Sequence, residues 1–120
     1  MYFTTTVKLV LQEAPSEGIP GVRLCLYDRD RITRDDLLGS ETTDDNGEAC
    51  FRFDSDRFVD LDDRLGGVFP ELYVAVCDER DEKVFDTRSD CTHNSAPRHM
   101  TVCVPRMVAE EHGLLVGAQT

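Results

Sequence analysis

Carboxylates are the side chains in this sequence that come nearest to a chemical site. Asp28, Asp30, Asp35 and Asp36 follow one alternating apolar run, and Asp78, Glu79 and Asp81 follow another. A hard cation such as Ca²⁺ takes oxygen ligands from several loops, so Asp28, Asp30, Asp36 and Asp78 are the candidate ligands of a calcium site if the two loops converge. Arg29, Arg31, Arg34 and Arg80 are interleaved with these acids. The competing reading is therefore an ion-paired or solvated surface with no need of metal. Asp44 and Asp45, just before Asn46-Gly47, read as turn residues.

A second cluster is Asp90, Cys91 and His93. A thiol beside a His can serve as a nucleophile when its pKa is lowered. No oxyanion-forming motif accompanies it, and Asn94, Ser95 and Pro97 are ordinary loop formers, so the loop reading is preferred and no catalytic residue is assigned. Arg98 and His99, entering the last apolar run, are the candidate ligand-binding residues, with plain surface positions as the alternative. An enzyme that shapes its substrate in an apolar cavity would leave almost no motif.

The elements that must position these residues are strands. In Val22-Arg23-Leu24-Cys25-Leu26-Tyr27 the aliphatic residues recur at every second position, the period of a half-buried strand. The same alternation predicts seven strands: about Thr4 to Gln12, Gly21 to Asp28, Gly39 to Thr43, Ala49 to Asp54, Leu72 to Asp78, Lys83 to Thr87 and His99 to Val104. Val22, Leu24, Leu26, Phe51, Phe53, Val74, Val76 and Val102 are expected to share one core. Asn46-Gly47 calls for positive φ and so for a tight turn between Thr43 and Glu48. Phe58, Leu61 and Leu65 predict short helical turns between Asp56 and Pro70, and Arg106 to His112 predicts a terminal helix stopped by Gly113. The fold class expected is an all-β sandwich occupying residues 1–105, followed by a short helical tail over 106–120.

At 120 residues the chain suits one domain with an ordinary hydrophobic core. Its 24 acidic and 13 basic residues give a formal net charge of −11, which excludes a phosphate backbone as the natural partner and disfavours anionic lipid. No charged leader with an apolar run opens the sequence, and no stretch approaches a spanning helix, so the expectation is a soluble cytoplasmic protein, or a secreted one if a leader has been removed. Of the five cysteines, Cys25, Cys50, Cys77 and Cys103 fall out of phase with the aliphatic positions and should point away from the main core. They read either as reduced, partly covered thiols or as cross-strand disulfides in an oxidising compartment.

Val22 to Asp30, then Asp35-Asp36-Leu37-Leu38-Gly39, then Thr43-Asp44-Asp45-Asn46-Gly47-Glu48, resemble the central motif of the transthyretin-like (prealbumin-like) family known from nematode secreted proteins and bacterial relatives. Cys91 and the run Arg98 to Pro105 are similar to that family's closing strand. The resemblance implies a seven-stranded prealbumin-like sandwich that binds a small molecule or a protein. Motifs of the related hydroxyisourate hydrolase and of intradiol dioxygenases are absent. Three classes of function follow: a binding or interaction module, a small cofactor-free cyclase or hydrolase, and a calcium-dependent adhesion or membrane-binding module. Self-association to a homo-oligomer is also expected, through open sheet edges and an apolar tail at Leu114-Leu115-Val116.

Overall fold

The computed structural model describes residues 2–29, 34–54, 72–88 and 99–115. Within them lie eight strands and one helix: β1 Tyr2–Leu11, β2 Ala14–Gly18, β3 Arg23–Asp28, β4 Asp36–Thr42, β5 Glu48–Asp54, β6 Leu72–Cys77, β7 Lys83–Asp86, β8 His99–Val104 and α1 (Arg106–Glu111). They form two four-stranded sheets packed as an all-β sandwich. In the first sheet β1 pairs antiparallel with β5 and β2 and parallel with β8. The second sheet runs β4-β3-β6-β7, all antiparallel.

The core lies between the sheets. Val7, Leu9 and Leu11 from β1, Leu24 and Leu26 from β3, Phe51 and Phe53 from β5, Val74 and Val76 from β6, and Val102 and Val104 from β8 are buried in one cluster, which also holds Val22. Every expected core residue is there, because the period-2 pattern assigns a face before any partner is chosen. Gly39 lets the Phe51 ring lie against the backbone: a Cβ on it would stand 3.3 Å from that ring.

Two strand expectations are corrected. Strand β2, in the sequence Ala-Pro-Ser-Glu-Gly, lies outside the seven predicted strands. It lacks apolar alternation and pairs with β1 only at Val10↔Gly18 and Leu11↔Ala14, across a bulge, so pairing and not burial makes it a strand. Strand β4 begins at Asp36 and not at Gly39, because Leu38 turns inward and Asp36 and Leu37 continue the ladder opposite Asp28 and Tyr27. The predicted helical turns between residues 56 and 70 lie outside the described residues.

The turn at Asn46-Gly47 joins two sheets, since β4 pairs with β3 and β5 with β1. Asp44 builds it. Its Oδ1 accepts the amides of Asn46 and Glu48, both at 2.9 Å, its amide donates to the Glu48 carbonyl at 2.8 Å, and its carbonyl accepts the Gly47 amide at 2.9 Å. Gly47 sits at φ 79°, whereas Asn46 is not in the left-handed region, so the turn needs one such residue and not two. Buried Thr43 ties this turn to the β2–β3 connection, accepting the Val22 amide at 2.9 Å and donating to the Ile19 carbonyl at 2.7 Å.

Helix α1 ends as predicted. Gly113 takes φ 69°, its amide bonds the Glu110 carbonyl at 3.3 Å, and the Leu114 amide reaches back to the Ala109 carbonyl at 2.8 Å. This closure turns Leu114 inward. Leu114 and Ala109 are buried in the sandwich core and Leu115 is half-buried against it, so the expected apolar exposure of Leu114 is not observed.

Candidate functional site

The hairpin joining β6 to β7 repeats the Asp44 arrangement. Asp78 Oδ1 accepts the amides of Arg80 at 2.8 Å and Glu82 at 3.0 Å, the Asp78 amide donates to the Glu82 carbonyl at 3.0 Å, and the Asp81 amide donates to the Asp78 carbonyl at 3.1 Å. The amides of Glu82 and Arg80 hold the Asp78 carboxyl below its ordinary range. At the position of Gly47 stands Asp81, with φ 62°. Its carboxylate pairs with Arg23 Nε at 3.1 Å, both side chains being half or more exposed.

This hairpin forms one wall of an open groove of about 460 Å³, completed by Gly21, Val22 and Arg23 at the start of β3, by Thr42, and by His112, Gly113 and Leu114 after α1. Cys77, Asp78, Glu79 and Asp81 belong to the same lining. The helix stop and the β6–β7 hairpin thus meet at one end of the sandwich, where Asp78, Glu79, Asp81, Arg23 and His112 are the charged or titratable residues of the lining.

The predicted calcium ligands do not assemble there. Strands β3 and β6 are antiparallel, with Asp28 opposite Leu72 and Arg23 opposite Cys77. Asp28 therefore stands where β6 begins and Asp78 just beyond where it ends, about 20 Å apart at the rise of a strand. Asp28 and Asp36 are cross-strand partners, while Asp30 lies outside the described residues. Among the described residues, no group of three or more His, Cys, Asp or Glu side chains could hold a metal ion. His99 is exposed at the start of β8, opposite Thr6 and away from the groove, and Arg98 is not among the described residues. Asp90, Cys91 and His93 also fall outside them.

The outer face of the second sheet carries a second polar assembly. Tyr27 and Tyr73 stack with centroids 5.3 Å apart and Lys83 Nζ lies 5.8 and 5.9 Å from them. The Tyr73 hydroxyl donates to Asp35 Oδ2 at 2.5 Å, and Arg88 grips the same carboxylate through Nε at 2.7 Å and Nη2 at 3.3 Å. Burial, then the hydrogen bond to Asp35, pushes the Tyr73 hydroxyl well above its ordinary pKa. The ion-paired reading of the acidic loop therefore describes Asp35, although Arg88 comes from 53 residues away and not from the interleaved arginines.

No family model matches the chain, and no curated protein sequence matches it. In fold it is similar to a solved 9R-lipoxygenase from Cyanothece PCC8801, with a TM-score of 0.57 and 19% identity over 87% of this chain. The match takes in 16% of that larger chain, and at such identity it shows a shared fold and nothing of activity.

Sequence reasoning singled out Glu79 and Asp81 with Asp78 as a carboxylate cluster but missed Arg23 and His112 as their groove neighbours. One signal was available: Asp78-Glu79-Arg80-Asp81-Glu82 has the Asp-x-x-x-Glu frame of Asp44-Asp45-Asn46-Gly47-Glu48. That frame marks Asp78, like Asp44, as a maker of its own turn.

Proposed function

We propose that the protein is a binding module whose seat is the groove between the β6–β7 hairpin, the start of β3 and the end of α1, and that its ligand is a small molecule or peptide with a cationic group. The observation that carries this reading is Asp81. A non-glycine residue in the left-handed region costs about 1–2 kcal/mol, less for Asp than for most, and the equivalent position in the other turn holds glycine. Asp81 holds that conformation with its carboxylate on Arg23 at the lining of a groove that also includes Asp78 and Glu79, an exposed pair that a cationic ligand would share or displace. The chain's net charge of −11 adds a long-range field that favours cations.

An all-β sandwich is the fold class that the transthyretin-like resemblance implies, and that resemblance favours binding over catalysis. A calcium-dependent module has less support, because strand register separates Asp28 from Asp78.

Binding is tested by following backbone amide resonances during titration with a short arginine-containing peptide amide, beside the same peptide carrying glutamate. The arginine peptide should shift Arg23, Glu79 to Asp81 and Gly113. Combining Glu79→Gln with Asp81→Asn should weaken it about fivefold to tenfold. No shift at millimolar peptide, or equal shifts with the acidic peptide, would remove the reading.

A further inference from the structure

Cys25 and Cys77 are 52 residues apart in sequence, yet their Sγ atoms lie 3.7 Å from each other. The register explains the meeting. Cys25 faces Ala75 and Cys77 faces Arg23, so the thiols are diagonal neighbours on adjacent strands, both on the face turned away from the core. Their exposures differ: Cys25 is half-buried and Cys77 is buried, whereas Cys50 and Cys103 are exposed on the other sheet. All four are free thiols.

We propose that Cys25 and Cys77 form an oxidisable dithiol site, in which a peroxide converts the pair to a cross-strand disulfide between β3 and β6. The half-buried Cys25 meets the oxidant first. Its sulfur attacks one peroxide oxygen, the O–O bond breaks, water leaves, and Cys25 becomes a sulfenic acid. The Cys77 sulfur then attacks the Cys25 sulfur, the S–O bond breaks, and a second water leaves as the S–S bond forms. Two thiols supply the two electrons and hydrogen peroxide is reduced to two waters. The sulfurs must approach by about 1.6 Å to reach a disulfide bond length of about 2.05 Å, and because diagonal neighbours on adjacent strands stand about 7–8 Å apart, β3 and β6 must draw slightly together as the bond forms.

The division of roles has a second support. Burial, followed by the hydrogen bond with Cys25, pushes the Cys77 thiol up to about 12, so it stays protonated at neutral pH and can donate to the Cys25 sulfur. Cys77 is then the thiol that peroxide does not oxidise first, and it joins the reaction only beside the Cys25 sulfenic acid, whose hydroxyl carries the Cys77 proton away as water. Ser40 Oγ, at 3.7 Å from Cys25 Sγ, is a further polar neighbour of the attacking sulfur. The site stands whether or not the groove binds a ligand.

The experiment treats the full chain with limiting hydrogen peroxide, removes the excess, unfolds the chain in denaturant to block every remaining thiol with N-ethylmaleimide, and maps the peptides by mass. The first disulfide to accumulate should join the Cys25 and Cys77 peptides within one chain, with the loss of two hydrogens, and dithiothreitol should restore both thiols. In Cys77→Ser, Cys25 should be trapped by dimedone as a sulfenic acid. In Cys25→Ser, Cys77 should remain fully alkylated after the same treatment. The wild-type map decides the matter even if a variant fails to fold. A first disulfide that links either residue to Cys91, or a sample in which Cys50 and Cys103 are oxidised while Cys25 and Cys77 both still take maleimide, would overturn the proposal.

Discussion

The turn from Asp44 to Glu48 and the turn from Asp78 to Glu82 have one backbone plan and two purposes. In each, an Asp carboxylate oxygen accepts the amides two and four residues ahead, and the fourth residue takes positive φ. The first turn crosses between sheets and is packed from above. A Cβ on Gly47 would stand 2.6 Å from the Gly18 Cα and 2.6 Å from the Ile19 amide nitrogen, and a Cβ on Gly18 would strike the Asn46 carbonyl oxygen. The second turn closes a hairpin within one sheet and projects toward solvent, where Asp81 is two-thirds exposed at its side chain. Tertiary packing therefore leaves only glycine at one position, while the other can carry a carboxylate. The lesson is that an Asp-x-x-x-Glu frame specifies the turn, and the surroundings decide whether it can also present a functional group.

The largest effect expected from this comparison is at Gly47. Gly47→Ala combines a left-handed alanine with a collision against backbone that cannot rotate away, so it should cost about 3–5 kcal/mol, read from the shift of the urea midpoint. A cost under about 1 kcal/mol would mean that the two turns are not constrained differently. Next comes Asp44→Ala, which removes two hydrogen bonds and should cost about 1–2 kcal/mol. Asp78→Ala should cost less than Asp44→Ala, since local fraying of an exposed hairpin can return its amides to water.

Asp81→Gly should change stability by no more than about 0.5 kcal/mol, because relief of the left-handed conformation offsets a weak surface ion pair and the added freedom of the unfolded chain. The same substitution should still weaken the arginine peptide. Loss of stability without loss of binding would reverse the roles given to the two turns.

The smallest effect is on acid stability. The Asp78 carboxyl is held below its ordinary range in the folded state, so its contribution is fully present above about pH 4 and is lost as pH falls through the lowered folded value. Asp78→Asn keeps an acceptor oxygen but no titration, so its melting temperature should fall less steeply than that of the wild type between about pH 4 and pH 2. Parallel curves would indicate that the Asp78 oxygen is not held by the two amides in solution.

Strand identity was readable from the chain alone because side-chain alternation is a local property. Val22, Leu24 and Leu26 declare an inward face whatever strand lies beside them, and Phe51, Phe53, Val74 and Val76 do the same. Gly113 as a helix stop and Asp44 as a turn residue were equally local, since each acts on backbone groups a few residues away. Strand β2 escaped notice for the complementary reason: its sequence has no alternation, and only the neighbouring β1 makes it a strand.

Which loops meet was another matter. The calcium hypothesis required Asp28 and Asp78 to leave the same end of the sandwich, and antiparallel pairing of β3 with β6 sends them to opposite ends. Alternation cannot report this, because reversing a strand's direction leaves its pattern of inward and outward residues intact. Direction and register arise from pairing between distant segments, and so do the meeting of Cys25 with Cys77, the grip of Arg88 on Asp35 and the groove that joins Asp81 to His112. The sequence by itself determined an acidic all-β chain, its core faces and its turns. Only the tertiary structure decided which carboxylates, thiols and cations became neighbours, because that depends on contacts between residues that no local pattern connects.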